Sequence, residues 1–72
     1  MTRTIGYIAC DATDGDHISD HTGQDCYRPA IMRDTYDLAL ADCTDERPVV
    51  RCVGSDGYLY VDEPENNNEE EV

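Results

Sequence analysis

Seventy-two residues carrying seventeen acids, five arginines and no lysine give a formal net charge of −12. A chain this short forms one small domain that buries only about 60% of its unfolded surface, so a roomy substrate cavity would take core it cannot spare. The charge repels nucleic acid, anionic membrane surfaces and acidic substrates, and leaves a basic partner as the natural inference.

There is no apolar run near the roughly 20 residues of a membrane span. Residues 1–10 also lack the basic start and long apolar stretch of a signal peptide, so the expectation is a soluble, cytoplasmic protein with no membrane partner.

Thr4–Cys10 (T-I-G-Y-I-A-C) mixes β-branched and aromatic residues and reads as a strand. Alternation places Gly6, Ile8 and Cys10 on one face and Ile5, Tyr7 and Ala9 on the other. Both faces are mostly apolar, which predicts a central position in the sheet.

Residues 11–25 hold Asp11, Asp14, Asp16, Asp20 and Asp25 with no basic residue but histidine between them, and Ile18 is their one sizeable apolar anchor. Such a segment is expected to run over the surface as an acidic loop. A helical turn between Asp16 and His21, capped by Asp16, would need tertiary contacts to persist.

Pro29 suits the first position of a helix, and residues 29–43 follow a helical pattern. Met32, Tyr36, Ala39, Leu40 and Cys43 share an arc of about 100°, the width of a core-facing stripe. Ile31 and Leu38 form a second apolar patch. At or beyond the C-terminus of this helix stand Asp42, Asp45 and Glu46, where the macrodipole disfavours negative charge by about 0.3–1 kcal/mol each. Either function requires them there or Arg47 neutralises part of the cost.

A hairpin follows, with strands at 49–53 and 58–62 flanking Gly54-Ser55-Asp56-Gly57. A two-residue turn at Asp56-Gly57 or a four-residue loop would both put Val50, Cys52, Leu59 and Val61 on the core face. Arg51, Val53, Tyr58, Tyr60 and Asp62 would then occupy an exposed face that suits either a monomer or a homodimer. Residues 63–72 hold five acids and no base and read as a disordered acidic tail. Twelve acids and five arginines remain on residues 1–62, a charge of −7, so the folded body is itself acidic. The fold class is α+β: a single domain over 1–62 with a small antiparallel three-stranded sheet, one main helix packed on one face, and an acidic loop.

Reactive residues give little chemistry. Cys10, Cys26, Cys43 and Cys52 form no C-x-x-C knuckle, and they read first as buried thiols, with disulfides or a metal site as the alternatives. His17 and His21 are four residues apart and could share a helical face with Asp16 or Asp20 as metal ligands, but they read first as solvated side chains. Aligning Gly15 with the glycine of a calcium loop puts Cys10 and His21 at the end positions, and the pattern fails. No nucleophile with its base and no phosphate-cradling loop is present, so neither catalysis nor a cofactor is expected. The five arginines (Arg3, Arg28, Arg33, Arg47, Arg51) are scattered, the reverse of a nucleic-acid footprint.

The candidate binding array is therefore Asp11, Asp14, Asp16, Asp20 and Asp25 from the loop, with Asp34, Asp37, Asp42, Asp45 and Glu46 from the helix. In size and charge the chain resembles the small acidic phage-encoded inhibitors of bacterial defence, the anti-CRISPR and anti-restriction proteins that mimic DNA. The resemblance is one of general character, without an aligned motif. It implies a basic nucleic-acid-binding protein as target, such as a CRISPR surveillance complex. The alternative is a salt-adapted interaction module: eleven aspartates and no lysine also suit a salt-rich cytoplasm or a GC-rich genome.

Overall fold

The structure, a computed structural model, describes residues 2–11, 15–24 and 26–63. Strand β1 (Thr4–Cys10) is followed by helix α1 (Ser19–Thr22), helix α2 (Tyr36–Ala41), and strands β2 (Val49–Gly54) and β3 (Leu59–Tyr60). The strands form one antiparallel sheet in the order β1-β2-β3, so the class is α+β with two short helices. The predicted acidic tail lies outside the described residues except for Glu63.

β2 is the central strand, and β1, expected at the centre, is an edge of the three-stranded sheet. Its two apolar faces have another cause. Ile8 and Cys10 enter a core cluster with Val53 and Leu59, on which Ile18 and Ala30 also pack. Tyr7 alternates to the opposite face, where its ring meets Tyr36 of α2 edge-on at 6.1 Å. Both faces of β1 are therefore covered, one by the segment carrying α1 and one by α2. Its free edge is partly closed as well: Tyr7 N–H donates to the Arg33 carbonyl at 2.8 Å, and Arg33 N–H returns the bond at 2.7 Å.

The helix expected over 29–43 is reduced to Tyr36–Ala41. The backbone groups of its first half are used elsewhere. Ala30 N–H donates to the His21 carbonyl at 2.6 Å, and Arg33 is bonded to Tyr7 in both directions. Helix α2 begins instead at Thr35, whose side-chain oxygen accepts from Leu38 N–H at 3.3 Å as an N-cap. The stripe drawn through Met32, Tyr36, Ala39, Leu40 and Cys43 does not survive. Ala39 is fully buried and Cys43 half-buried, but Met32, Tyr36 and Leu40 are exposed, as are Ile31 and Leu38. Met32 nonetheless explains a glycine. An ideal Cβ on Gly6 would lie 2.6 Å from Met32 Cγ and 2.9 Å from the Arg33 carbonyl, so this strand position must stay bare for the crossing segment to approach.

The hairpin adopts neither expected register. Cys52 pairs with Tyr60 and Val53 with Leu59, which leaves Ser55, Asp56 and Gly57 as a three-residue loop. Gly57 sits at φ +89°, the left-handed closing residue that such loops favour, and its N–H donates to the Gly54 carbonyl at 2.9 Å. A one-residue change of register swaps the faces of one strand relative to the other. Val53, assigned to the exposed face, is fully buried against Leu59, whereas Val61, assigned to the core, is 51% exposed. The strand expected over 58–62 shortens to Leu59–Tyr60, and the exposed sheet face that suited a homodimer loses Val53.

This register makes a direct stability prediction. Val53→Ala should destabilise the chain by about 2 kcal/mol through cavity formation, while Val61→Ala should stay within about 0.5 kcal/mol of wild type in urea denaturation. The reverse order of effects would restore the register read from sequence.

Candidate functional site

The acidic segment leaves β1 at Asp11 and returns along the outer edge of β3. His17 bridges Tyr58 in antiparallel sense. Leu59 N–H donates to the Asp16 carbonyl at 2.8 Å, and Ile18 N–H donates to the Gly57 carbonyl at 2.7 Å. The segment therefore acts as a short added strand on an edge that would otherwise be open. The His17 ring packs edge-on against Tyr58 at 4.8 Å, and its Nδ1 lies 2.9 Å from Ser19 Oγ. Gly57 is needed twice here. Its φ is positive, and an ideal Cβ would lie 2.5 Å from His17 Nε2.

The two histidines do not share a face, because α1 begins only at Ser19. His17 lies at the β3 edge, and His21, expected in solvent, is 7% exposed. Its Nε2 lies 3.3 Å from Asp16 Oδ2, and Asp11 stands close enough that one ligand atom from each of the three lies within 4.8 Å of the others. This grouping was hidden in the sequence. It depends on the 15–18 segment pairing with a strand more than forty residues away.

The candidate acids fall into two groups. Asp11 and Asp20 are exposed and Asp16 is half-buried, all on the segment that covers the core face. Asp34, Asp37, Asp45 and Glu46 are exposed and Asp42 is half-buried, on or beside α2 and across the sheet from α1. Asp14 and Asp25 lie outside the described residues. The groups approach each other at one end of the sheet: Cys10 pairs with Val49, so Asp11 just beyond β1 and the 45–46 corner just before β2 leave from the same end.

Part of the second group is neutralised. Arg33 makes a two-pronged pair with Asp42, with Nε donating to Oδ2 at 2.7 Å and Nη2 to Oδ1 at 3.1 Å. Arg33, not Arg47, thus offsets the acid at the helix end, and the C-cap N–H of Asp42 closes on the Ala39 and Leu40 carbonyls. Arg28 and Glu46 form a looser, exposed pair at 3.6 Å. Among the described residues, Asp34, Asp37 and Asp45 enter no ion pair. Arg28, Arg33 and Arg47 line a 230 Å³ groove beneath Pro29 and Ile31, where Asp42 and Glu46 answer two of the three cations.

The two buried thiols are set against reactivity. All four cysteines are free, and Cys10 and Cys52 are buried. Burial pushes the Cys10 thiol up to about 11 and raises that of Cys52, the direction of an inert side chain. At the sheet's other end, the Tyr60 hydroxyl donates to Asp56 Oδ2 at 2.6 Å and holds that carboxyl below its ordinary value.

No family model matches the chain, and neither a curated protein nor a solved structure is similar enough to match it.

The Arg33 hydrogen bonds hold the Asp42 carboxyl below its ordinary 3.8. A depressed folded value means the pair stabilises above pH 3.8 and loses that contribution as pH falls through the lowered value. Carboxyl-carbon NMR should therefore place the Asp42 midpoint below 3.8, and Arg33→Ala should raise it. An unchanged Asp42 midpoint in the variant would refute the pairing.

Proposed function

We propose that the chain is an acidic inhibitor that mimics DNA and occupies the nucleic-acid-binding site of a host defence complex, in the manner of the anti-CRISPR proteins it resembles. The observation that carries this reading is the mismatch between exposed acid and available base. Arg33 is bound to Asp42, Arg28 leans on Glu46, and Arg51 is half-buried on the sheet with its Nε enclosed, so that among the described residues Arg3 and Arg47 are the remaining arginines, outside any ion pair and fewer than the exposed acids. The exposed Asp34, Asp37 and Asp45 are left to solvent or to a partner.

Rigidity supports the same reading. A groove lined with lysine and arginine gains affinity by releasing counterions from a fixed row of charges. Asp16 is fixed by the bond its carbonyl accepts on β3, Asp20 by accepting His17 N–H at 3.2 Å, and Asp42 by Arg33. Asp11 and the 45–46 corner at one end of the sheet would be the leading edge of such a contact. The reading requires neither an enzyme activity nor a cofactor.

A salt-adapted interaction module remains the second reading, and one observation favours it: acids stand on both sides of the sheet, not on one. Salt separates the two. A salt-adapted chain should unfold when salt is lowered from molar to about 0.15 M, whereas a mimic should stay folded there.

The test of the first reading is capture from a bacterial lysate on the immobilised full chain. A nucleic-acid-binding complex should be retained at about 0.05 M salt and released at about 0.5 M, and duplex DNA should compete it off. The triple variant Asp34→Asn, Asp37→Asn, Asp45→Asn should retain about tenfold less. Retention indifferent to both duplex and variant would overturn the proposal.

A further inference from the structure

We propose that Asp11, Asp16 and His21 form a binding site for a divalent transition-metal ion, with Zn²⁺ as the best-matched occupant. The three side chains come from different parts of the fold: the end of β1, the segment added to β3, and α1. One nitrogen and two carboxylate oxygens converge within 4.8 Å, a donor set that mixes borderline imidazole with hard oxygen. This is more than a patch of surface acid, because the nitrogen belongs to a residue more than nine-tenths buried.

The spacing leaves room for an ion between groups that are joined here by a long hydrogen bond. His21 Nε2 and Asp16 Oδ2 are 3.3 Å apart. Charge-assisted N–H···O bonds close to about 2.7–2.9 Å. Two ligands of a tetrahedral zinc with bonds of about 2.0–2.1 Å stand about 3.3–3.4 Å apart, an edge that the His21–Asp16 pair matches, while the full set, within 4.8 Å, has to draw in to close on an ion.

The backbone around the nitrogen is held on both sides. His21 N–H donates to the Ile18 carbonyl at 2.9 Å, and the His21 carbonyl accepts from Ala30 at 2.6 Å. Asp16 is held by its carbonyl on Leu59. Three protein ligands leave a fourth position for water, as in open zinc sites. The same ion would offset two of the chain's negative charges where the segment leaves β1, and would fasten that segment to the sheet.

The test uses the chelator-treated full chain at pH 7 in about 0.15 M salt, a concentration that screens diffuse attraction of cations to an acidic surface. Calorimetric titration with Zn²⁺ should give one ion per chain and a raised unfolding temperature, with Mg²⁺ not competing at tenfold excess. Asp11→Asn and Asp16→Asn should each weaken binding by about tenfold or more. Asp20→Asn, on the neighbouring exposed carboxylate, should not. Because His21 is buried and its replacement disturbs the fold, Co²⁺ provides the second readout: its visible spectrum should appear without a thiolate charge-transfer band, which excludes Cys26 and Cys43 as ligands. No binding, equal binding by the Asp16→Asn variant, or a thiolate band would each overturn the site.

Discussion

The structure depends on the pairing of Val53 with Leu59. That register, one residue from either alternative the loop sequence offers, turns both side chains to the face where Ile8 and Cys10 lie, and these four make the fully buried cluster. Among the described residues the other buried apolar side chains, Ala9, Ala39 and Cys52, are small, and in a chain this size they compensate little for loss of that cluster. The same register sets the outer edge of β3 so that the carbonyl of Gly57 and the amide of Leu59 face the returning acidic segment. What fixes it is local: a three-residue loop closed by Gly57 at positive φ, with His17 filling the space a side chain there would need.

From this follows the treatment of charge. A segment rich in aspartate and poor in apolar side chains would ordinarily be the least ordered part of a small protein. Here its backbone borrows a sheet edge, its one large apolar residue, Ile18, packs on the core cluster, and His21 turns inward behind it. Among the described residues, its backbone is held by main-chain hydrogen bonds and the Asp16 carboxylate by one buried imidazole, His21. The arginines are used elsewhere, most tightly at the end of α2, where Arg33 answers the acid that the helix dipole disfavours.

Much of the architecture was legible in the sequence and much of its detail was not. β1 and the hairpin announce themselves through β-branched and aromatic runs around turn residues, and all three strands pair antiparallel as expected. The register stayed hidden because loops of two, three and four residues all fit Gly54 to Gly57, and a single step exchanges Val53 for Val61. Helix α2 was overextended because Pro29 is a good first helical residue, while the working signal, Thr35 three positions before Leu38, sat unused inside the same window. Its extended approach was written elsewhere, in Gly6, the bare position that lets Met32 and Arg33 cross β1. Exposed acids could be named from sequence, but the Arg33 to Asp42 pair and the buried His21 arise from contacts between separate elements that no spacing rule reveals.

The central claim is that residues 15–18 of the acidic segment are a fixed part of the sheet and not a loose loop. Amide hydrogen exchange followed by NMR tests it most directly. Bonded to Gly57 and Asp16, the amides of Ile18 and Leu59 should exchange as slowly as those within β2, with Ala30 protected through His21. If Ile18 and Ala30 exchange at the rate of free peptide while β2 stays protected, the segment is not fastened and the carboxylates do not form a fixed pattern.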